Sequence, residues 1–182
     1  MDSRYQLLKT LSEYTCSSIQ EKTNKLLITS FIEQNPDCFY RSCINGHVTG
    51  SALLLSHDKR YILLHFHNLC QKWLPFGGHA DGESDIASVA MRELAEESGI
   101  TDVELLYNSP SYINIHYIPH NDKKGEKEHV HYDITYTFIC KKAEDCLQSP
   151  EALEMRWIPI DILKKYDMHD ILAITLKKLE LL

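Results

Sequence analysis

Apolar residues recur along this chain with two different periods, and the change of period divides it. Tyr5, Leu8 and Leu11 fall at helical spacing, and Ile19, Thr23, Leu26 and Leu27 repeat the pattern. Asn35-Pro36-Asp37 then stops the helix, because the residue before a proline avoids the helical region. The spacing predicts a helical extension over residues 1–35 and a main domain over 36–182. Beyond Gly46 the pattern shortens. Val48, Ala52, Leu53 and Leu54 predict a strand, His57-Asp58-Lys59-Arg60 a polar turn, and residues 61–66 the returning strand of a hairpin. A helix is expected with Ser84 as its N-cap, Asp85 in its first turn and Gly99 as its stop. Ala87, Ala90, Met91 and Leu94 would form its buried stripe. Strand-like runs follow at 103–107, 112–118, 131–140 and 153–158, and two short helices close the chain. Strands and helices interleave without a regular βαβ repeat, which predicts an α/β (α+β) domain with a mixed sheet and helices on its faces.

Composition narrows the class. With 182 residues, 43% apolar and 25% charged, the chain reads as one globular domain, which excludes collagen-like, low-complexity and disordered classes. Acidic residues outnumber basic ones by 26 to 19, a net charge of -7, so nucleic acid is not an expected partner. A phosphate-handling enzyme can still be acidic when its carboxylates hold the cation that meets the phosphate. Cys16, Cys38, Cys43, Cys70, Cys140 and Cys146 include no C-x-x-C pair, so no structural zinc site is signalled. The N-terminus has no apolar signal region, and no stretch approaches the ~20 apolar residues of a membrane helix. A cytoplasmic protein with reduced thiols is expected, without a membrane partner.

The chemistry concentrates between Gly78 and Ile100. Arg92-Glu93-Leu94-Ala95-Glu96-Glu97 places three carboxylates at i, i+3 and i+4, on one side of a helix and near its negative end. They repel one another and the helix dipole, with Arg92 as the nearby compensation. A bound divalent cation reverses that cost. An ordinary salt-bridged, solvated face is the competing reading of this fragment taken alone.

The segment resembles the signature of the Nudix hydrolases: Gly, five residues, Glu, seven residues, then Arg-Glu-U-x-Glu-Glu-x-Gly-U, with U bulky and aliphatic. Gly78, Arg92, Glu93, Leu94, Glu96, Glu97, Gly99 and Ile100 match it. Ser84 departs, standing where the signature has its first glutamate, with Glu83 beside it as a substitute carboxylate for Arg92. Gly46-His47-Val48-Thr49-Gly50, Gly78-His79-Ala80-Asp81-Gly82, His129-Val130-His131-Tyr132-Asp133 and Arg156-Trp157-Ile158-Pro159 are similar to a bacterial Nudix subgroup of undefined substrate.

The resemblance implies an α/β/α sandwich around a mixed sheet and a Mg²⁺- or Mn²⁺-dependent hydrolysis of a nucleoside diphosphate linked to another moiety. It implies Glu93, Glu96, Glu97 and the Gly78 carbonyl as metal ligands. Glu93 is also a candidate base, and Glu97 and Arg92 belong to the catalytic set. An acid outside the signature is expected at Asp133, with Glu128 or Glu126 next. His129 and His131, at i and i+2, share a strand face, either as a hydrogen-bonded pair or in contact with phosphate or a metal water. His79 is expected at the mouth of the site. Phe76, Trp73, Tyr112 and Tyr117 are candidate base-stacking residues that compete with core packing, and Arg41 and Lys72 are candidate phosphate contacts that compete with plain surface charge. A small nucleotide is the expected partner, and a homodimer through the N-terminal helices is open. A nucleotide-sensing module without turnover and a prenyl-diphosphate isomerase are the alternatives.

Overall fold

The structure, a computed structural model, describes residues 2–43, 45–67, 71–120, 122, 127–142, 155–166 and 170–181. Its organising strand is β1 (His47–Leu55), an almost continuously buried run. A strand of that kind belongs in the middle of a sheet covered on both faces. It runs parallel to β7 (His129–Cys140), in register from His47↔His131 to Leu55↔Ile139. On its other edge it pairs antiparallel with β4 (Phe76–His79) and then with β2 (Tyr61–His67). β3 (Lys72–Leu74) and β8 (Met155–Pro159) flank β2, while β5 (Val103–Leu105) and β6 (Tyr112–Ile118) flank β7. One parallel pair among antiparallel ones makes the sheet mixed, as expected. The hairpin joining β1 to β2 turns at residues 56–60, where Asp58 accepts from the Ser56 hydroxyl and the Arg60 amide.

Side-chain alternation along β1 and β7 sorts two cores. Val48, Ala52 and Leu54 pack with Ile134 and Phe138 beneath α1 (Tyr5–Glu13), α2 (Ile19–Gln34) and α3 (Ile86–Ser98). Leu53 and Leu55 pack on the other face with Ile62, Leu64, Ile158, Leu163 of a 3₁₀ turn (Ile160–Lys165), and Leu172 and Leu176 of α4 (Asp170–Lys178). Helices on both faces give the three-layer sandwich.

Local details differ from the sequence pattern. On α2 the stripe of Ile19, Leu26 and Leu27 faces outward, 83%, 73% and 53% exposed, and Ile28, Phe31 and Ile32 are buried instead. Those residues, with Leu7 and Leu11 of α1, join the same core as α3, and Phe31 stacks on Tyr132 at 3.8 Å. On α3 the N-cap is Asp85 rather than Ser84, its carboxylate accepting from the Ala87 and Ser88 amides. The buried stripe is Ile86, Val89, Ala90 and Leu94, and Met91 is exposed. β5 ends at Leu105, and the N-terminal part of the last predicted strand (residues 153–154) lies outside the described residues, as do Cys70 and Cys146. No helix among the described residues is long and apolar enough to cross a membrane.

Candidate active site

The carboxylates are positioned by the contact between β4 and the C-terminal half of α3. Gly99 ends α3 in the left-handed region (φ 74°), its amide bonded to the Ala95 carbonyl. Gly50 of β1 lets α3 lie close, since a Cβ there would sit 3.0 Å from the Ile86 carbonyl and the Val89 side chain. Gly78 does the same for a functional group. A Cβ on Gly78 would fall 2.4 Å from the Glu93 carboxylate, so this residue must be glycine for that side chain to lie against β4.

Arg92 fixes the arrangement. Its guanidinium donates to Glu93 Oε1 at 2.7 Å and to the His79 carbonyl at 2.9 Å, and it approaches Glu96 Oε2 at 3.5 Å. Glu97 accepts from the Gly77 amide at 3.2 Å. Glu93 and Glu97 thus lie against β4, with Glu96 next to them beside Arg92, Glu93 mostly covered (14% exposed) and Glu96 open (60%). Desolvation where Glu97 turns in against β4 raises its pKa above the ordinary carboxyl value. The Gly77 amide opposes that rise, and the charges of Glu93 and Glu96 add to it. Three carboxylates with one arginine between them, around a cradle that a Cβ would fill, form a hard-oxygen donor set that fits a divalent cation of the Mg²⁺ class.

The substitute role expected of Glu83 is not what the structure has. Its carboxylate accepts from the Asp85 amide at 2.9 Å and holds the loop entering α3. That loop is held further by the Gly82 amide on the Phe39 carbonyl and by the Arg41–Asp81 ion pair at 2.7 Å.

Other expected residues lie elsewhere. Asp133 is buried on the sheet face opposite α3, accepting from Thr49 and Ser51 at 2.8 Å and from Thr135 at 3.1 Å. Register explains this: Asp133 pairs with Thr49, one residue out of phase with Gly50, the glycine that meets α3. Asp133 is therefore a structural acceptor rather than a neighbour of the signature carboxylates. Glu128 is exposed and bonded to the Tyr117 hydroxyl at 2.6 Å, and Glu126 lies outside the described residues. Phe76 is wholly buried and stacked on His65, which removes it as a base-stacking residue. Tyr112 is buried, Trp73 packs against Phe66 and Tyr166, and Tyr117 is exposed.

The histidines converge. His129 and His131 approach with their Nε2 atoms 2.9 Å apart. His47 and His79 complete a cluster in which the ring centroids of His47 lie 4.8–4.9 Å from the other three. Burial, reinforced by neighbouring imidazoles, lowers the pKa of His47 to about 4 and that of His131 to about 2. Sequence reading singled out three of these residues and missed His47. The missing signal is the parallel register that sets His47 beside His131, which no local pattern carries.

Residues 46–179 match the NUDIX domain, and the chain belongs to the Nudix family. It is 35% identical over 95 residues to an RNA pyrophosphohydrolase of Caulobacter vibrioides, covering 48% of this chain and 55% of the relative. It is 37% identical over 84 residues to an RNA pyrophosphohydrolase of Brucella ovis, covering 44% and 47%. The chain thus spans about half the length of the curated relatives it matches. Among solved structures, a C. elegans Ap4A hydrolase is similar with a TM-score of 0.50 at 18% identity, over 73% of this chain and 95% of that one, a likeness of fold. A Nudix-family hydrolase from Clostridium perfringens matches with a TM-score of 0.49 at 23% identity, over 76% of this chain and 99% of that one.

Proposed function

We propose that the chain is a hydrolase dependent on Mg²⁺ or Mn²⁺ that cleaves a phosphoanhydride bond in a nucleoside diphosphate linked to a second moiety. The observation that carries this reading is that Glu93 and Glu97 lie against β4 with Glu96 beside them, and that Arg92 ties Glu93 to the His79 carbonyl. Glu93, Glu96, Glu97 and the Gly78 carbonyl would hold the cation. When bound, the cation supplies positive charge to the phosphate oxygens and acidifies the attacking water. Arg92 holds Glu93 in place, which suits a reaction governed by positioning and charge. Glu93, which Arg92 orients, or Glu97, which the Gly77 amide orients, would take the proton from the attacking water.

Two substrate classes stand. Small dinucleotides, nucleotide sugars and nucleoside triphosphates suit a protein of net charge -7, which gains little from a long phosphate backbone. A phosphorylated RNA end is the second class, favoured by the name of the curated relatives. The test is mononucleotide or phosphate release with Mg²⁺ and Mn²⁺ over a panel of ADP-ribose, diadenosine tetraphosphate, nucleoside triphosphates and a 5′-triphosphorylated oligoribonucleotide. Cation-dependent turnover of one class is the expected result. Tight ligand binding with no turnover on any would replace the hydrolase with a nucleotide-sensing module.

A further inference from the structure

On the sheet face away from the Glu93 carboxylate, β1, β4 and β7 each contribute imidazoles to one spot. His47 opens β1, His79 closes β4, and His129 and His131 alternate on β7. Parallel pairing sets His47 beside His131, and the pairing of Thr49 with both His79 and Asp133 puts all four side chains on one face. One nitrogen from each ring can be chosen so that all four lie within 4.8 Å of one another.

Two features of this cluster call for a ligand. His47 is 3% exposed, and neither of its ring nitrogens has a hydrogen-bond partner among the described residues. A neutral imidazole normally satisfies at least one of them when buried. His129 Nδ1 lies 2.7 Å from the Lys127 carbonyl, which can only accept, so the proton sits on Nδ1 and the Nε2 lone pair is turned into the cluster. A backbone carbonyl orienting the far ring nitrogen is the arrangement found behind histidines that bind metals.

We propose that His47, His79, His129 and His131 form a second cation site, for a divalent transition ion of borderline softness with Zn²⁺ foremost, separate from the carboxylate site on α3. All-nitrogen donors disfavour Mg²⁺ and Mn²⁺, which seek oxygen. Tetrahedral Zn²⁺ with bonds of about 2.0–2.1 Å needs ligand nitrogens roughly 3.3 Å apart, so the four rings would draw together on binding from a spacing of up to 4.8 Å. The ion would tie together the starts of β1 and β7 and the end of β4. Because the His79 carbonyl receives Arg92, that tie would stiffen the backbone that carries the signature loop. The proposal goes beyond the hydrolase reading and does not depend on it.

The test uses the full chain, stripped with a chelator and titrated with Zn²⁺ against a competing indicator, and with Co²⁺ followed by visible absorption. Wild type and the Glu93→Gln/Glu97→Gln double variant should each bind one tight Zn²⁺ and give an intense tetrahedral Co²⁺ spectrum. His131→Ala should lose the spectrum and bind Zn²⁺ on the order of 100-fold or more weakly, since even an outer-shell change costs about 10–100-fold. His129→Gln, at a partly exposed position that keeps the fold, should weaken binding by at least ~10-fold and decides the matter should His131→Ala not fold. The proposal is overturned if wild type takes up no tight Zn²⁺, if the histidine variants bind as wild type does, or if only the glutamate variant loses the ion. None of these readings depends on turnover, so failure here leaves the hydrolase reading standing, and failure of the hydrolase panel leaves this site standing.

Discussion

At the scale of single residues, a few side chains have one geometric task each. Gly78 makes room for the Glu93 carboxylate. Gly78→Ala should push that carboxylate off β4 and lower kcat by at least ~10-fold with little change in melting temperature. An unchanged kcat would mean that Glu93 works from another position. Glu21 gives a pH signature. It is wholly buried on α2, and burial pushes its pKa up, but hydrogen bonds from Ser17 and Tyr14 and the charge of Lys178 outweigh that and hold it below 4.5. A depressed carboxyl pKa contributes stability that is present above the unfolded value and lost as pH falls through the folded one. Glu21→Gln should therefore be destabilised by about 1–3 kcal/mol at pH 7, a hydrogen-bonded charge being lost. The gap from wild type should close as pH drops below about 4.5 in chemical denaturation. A gap that does not vary with pH would contradict the assignment. At this scale the signature was legible because Arg92, Glu93, Glu96 and Glu97 are close together in sequence. His47 and the true surroundings of Asp133 were not, because both are set by pairing between strands more than eighty residues apart in number.

At the scale of elements, periodicity located helices and strands better than it located their buried faces. On α2 the apolar residues Ile19, Leu26 and Leu27 form one stripe and Ile28, Phe31 and Ile32 another, so spacing alone offered two faces. The inner face also carries Glu21 and Asn24, which look like solvent residues in sequence but are satisfied internally, Asn24 by Gln20 and the Ile113 carbonyl. On α3 the cap is Asp85 rather than Ser84, and packing turns Val89 rather than Met91 into the core. Asp85→Ala should cost ~1 kcal/mol of stability, read as a lower melting temperature, whereas Ser84→Ala should be near neutral. The reverse order would place the cap at Ser84. The mixed sheet and the hairpin at 56–60 were legible, because alternation and a short polar turn are local signals. The order in which strands lie beside one another was not.

At the scale of the molecule, the N-terminal helices and the sheet share one core. Leu7, Leu11, Ile28, Phe31 and Ile32 are buried together with the inner residues of α3 and β7. Lys178 of α4 also reaches the Tyr14 hydroxyl at 2.7 Å, tying the two ends of the described chain together. Removing residues 1–35 should therefore abolish cooperative thermal unfolding, since each large buried side chain lost costs about 2–5 kcal/mol. A truncated chain melting like the whole would show that the extension is dispensable. Against that scaffold the carboxylate cluster is small, and the central proposal is that its carboxylates, in that geometry, serve hydrolysis. The most direct measurement is the Mg²⁺- or Mn²⁺-dependent rate of phosphoanhydride cleavage by wild type and Glu97→Gln side by side on the best substrate of the panel. Turnover that needs the cation and falls by about 10²-fold or more in the variant is the predicted result. Equal rates in the two proteins, or no cleavage of any substrate by wild type, would contradict it.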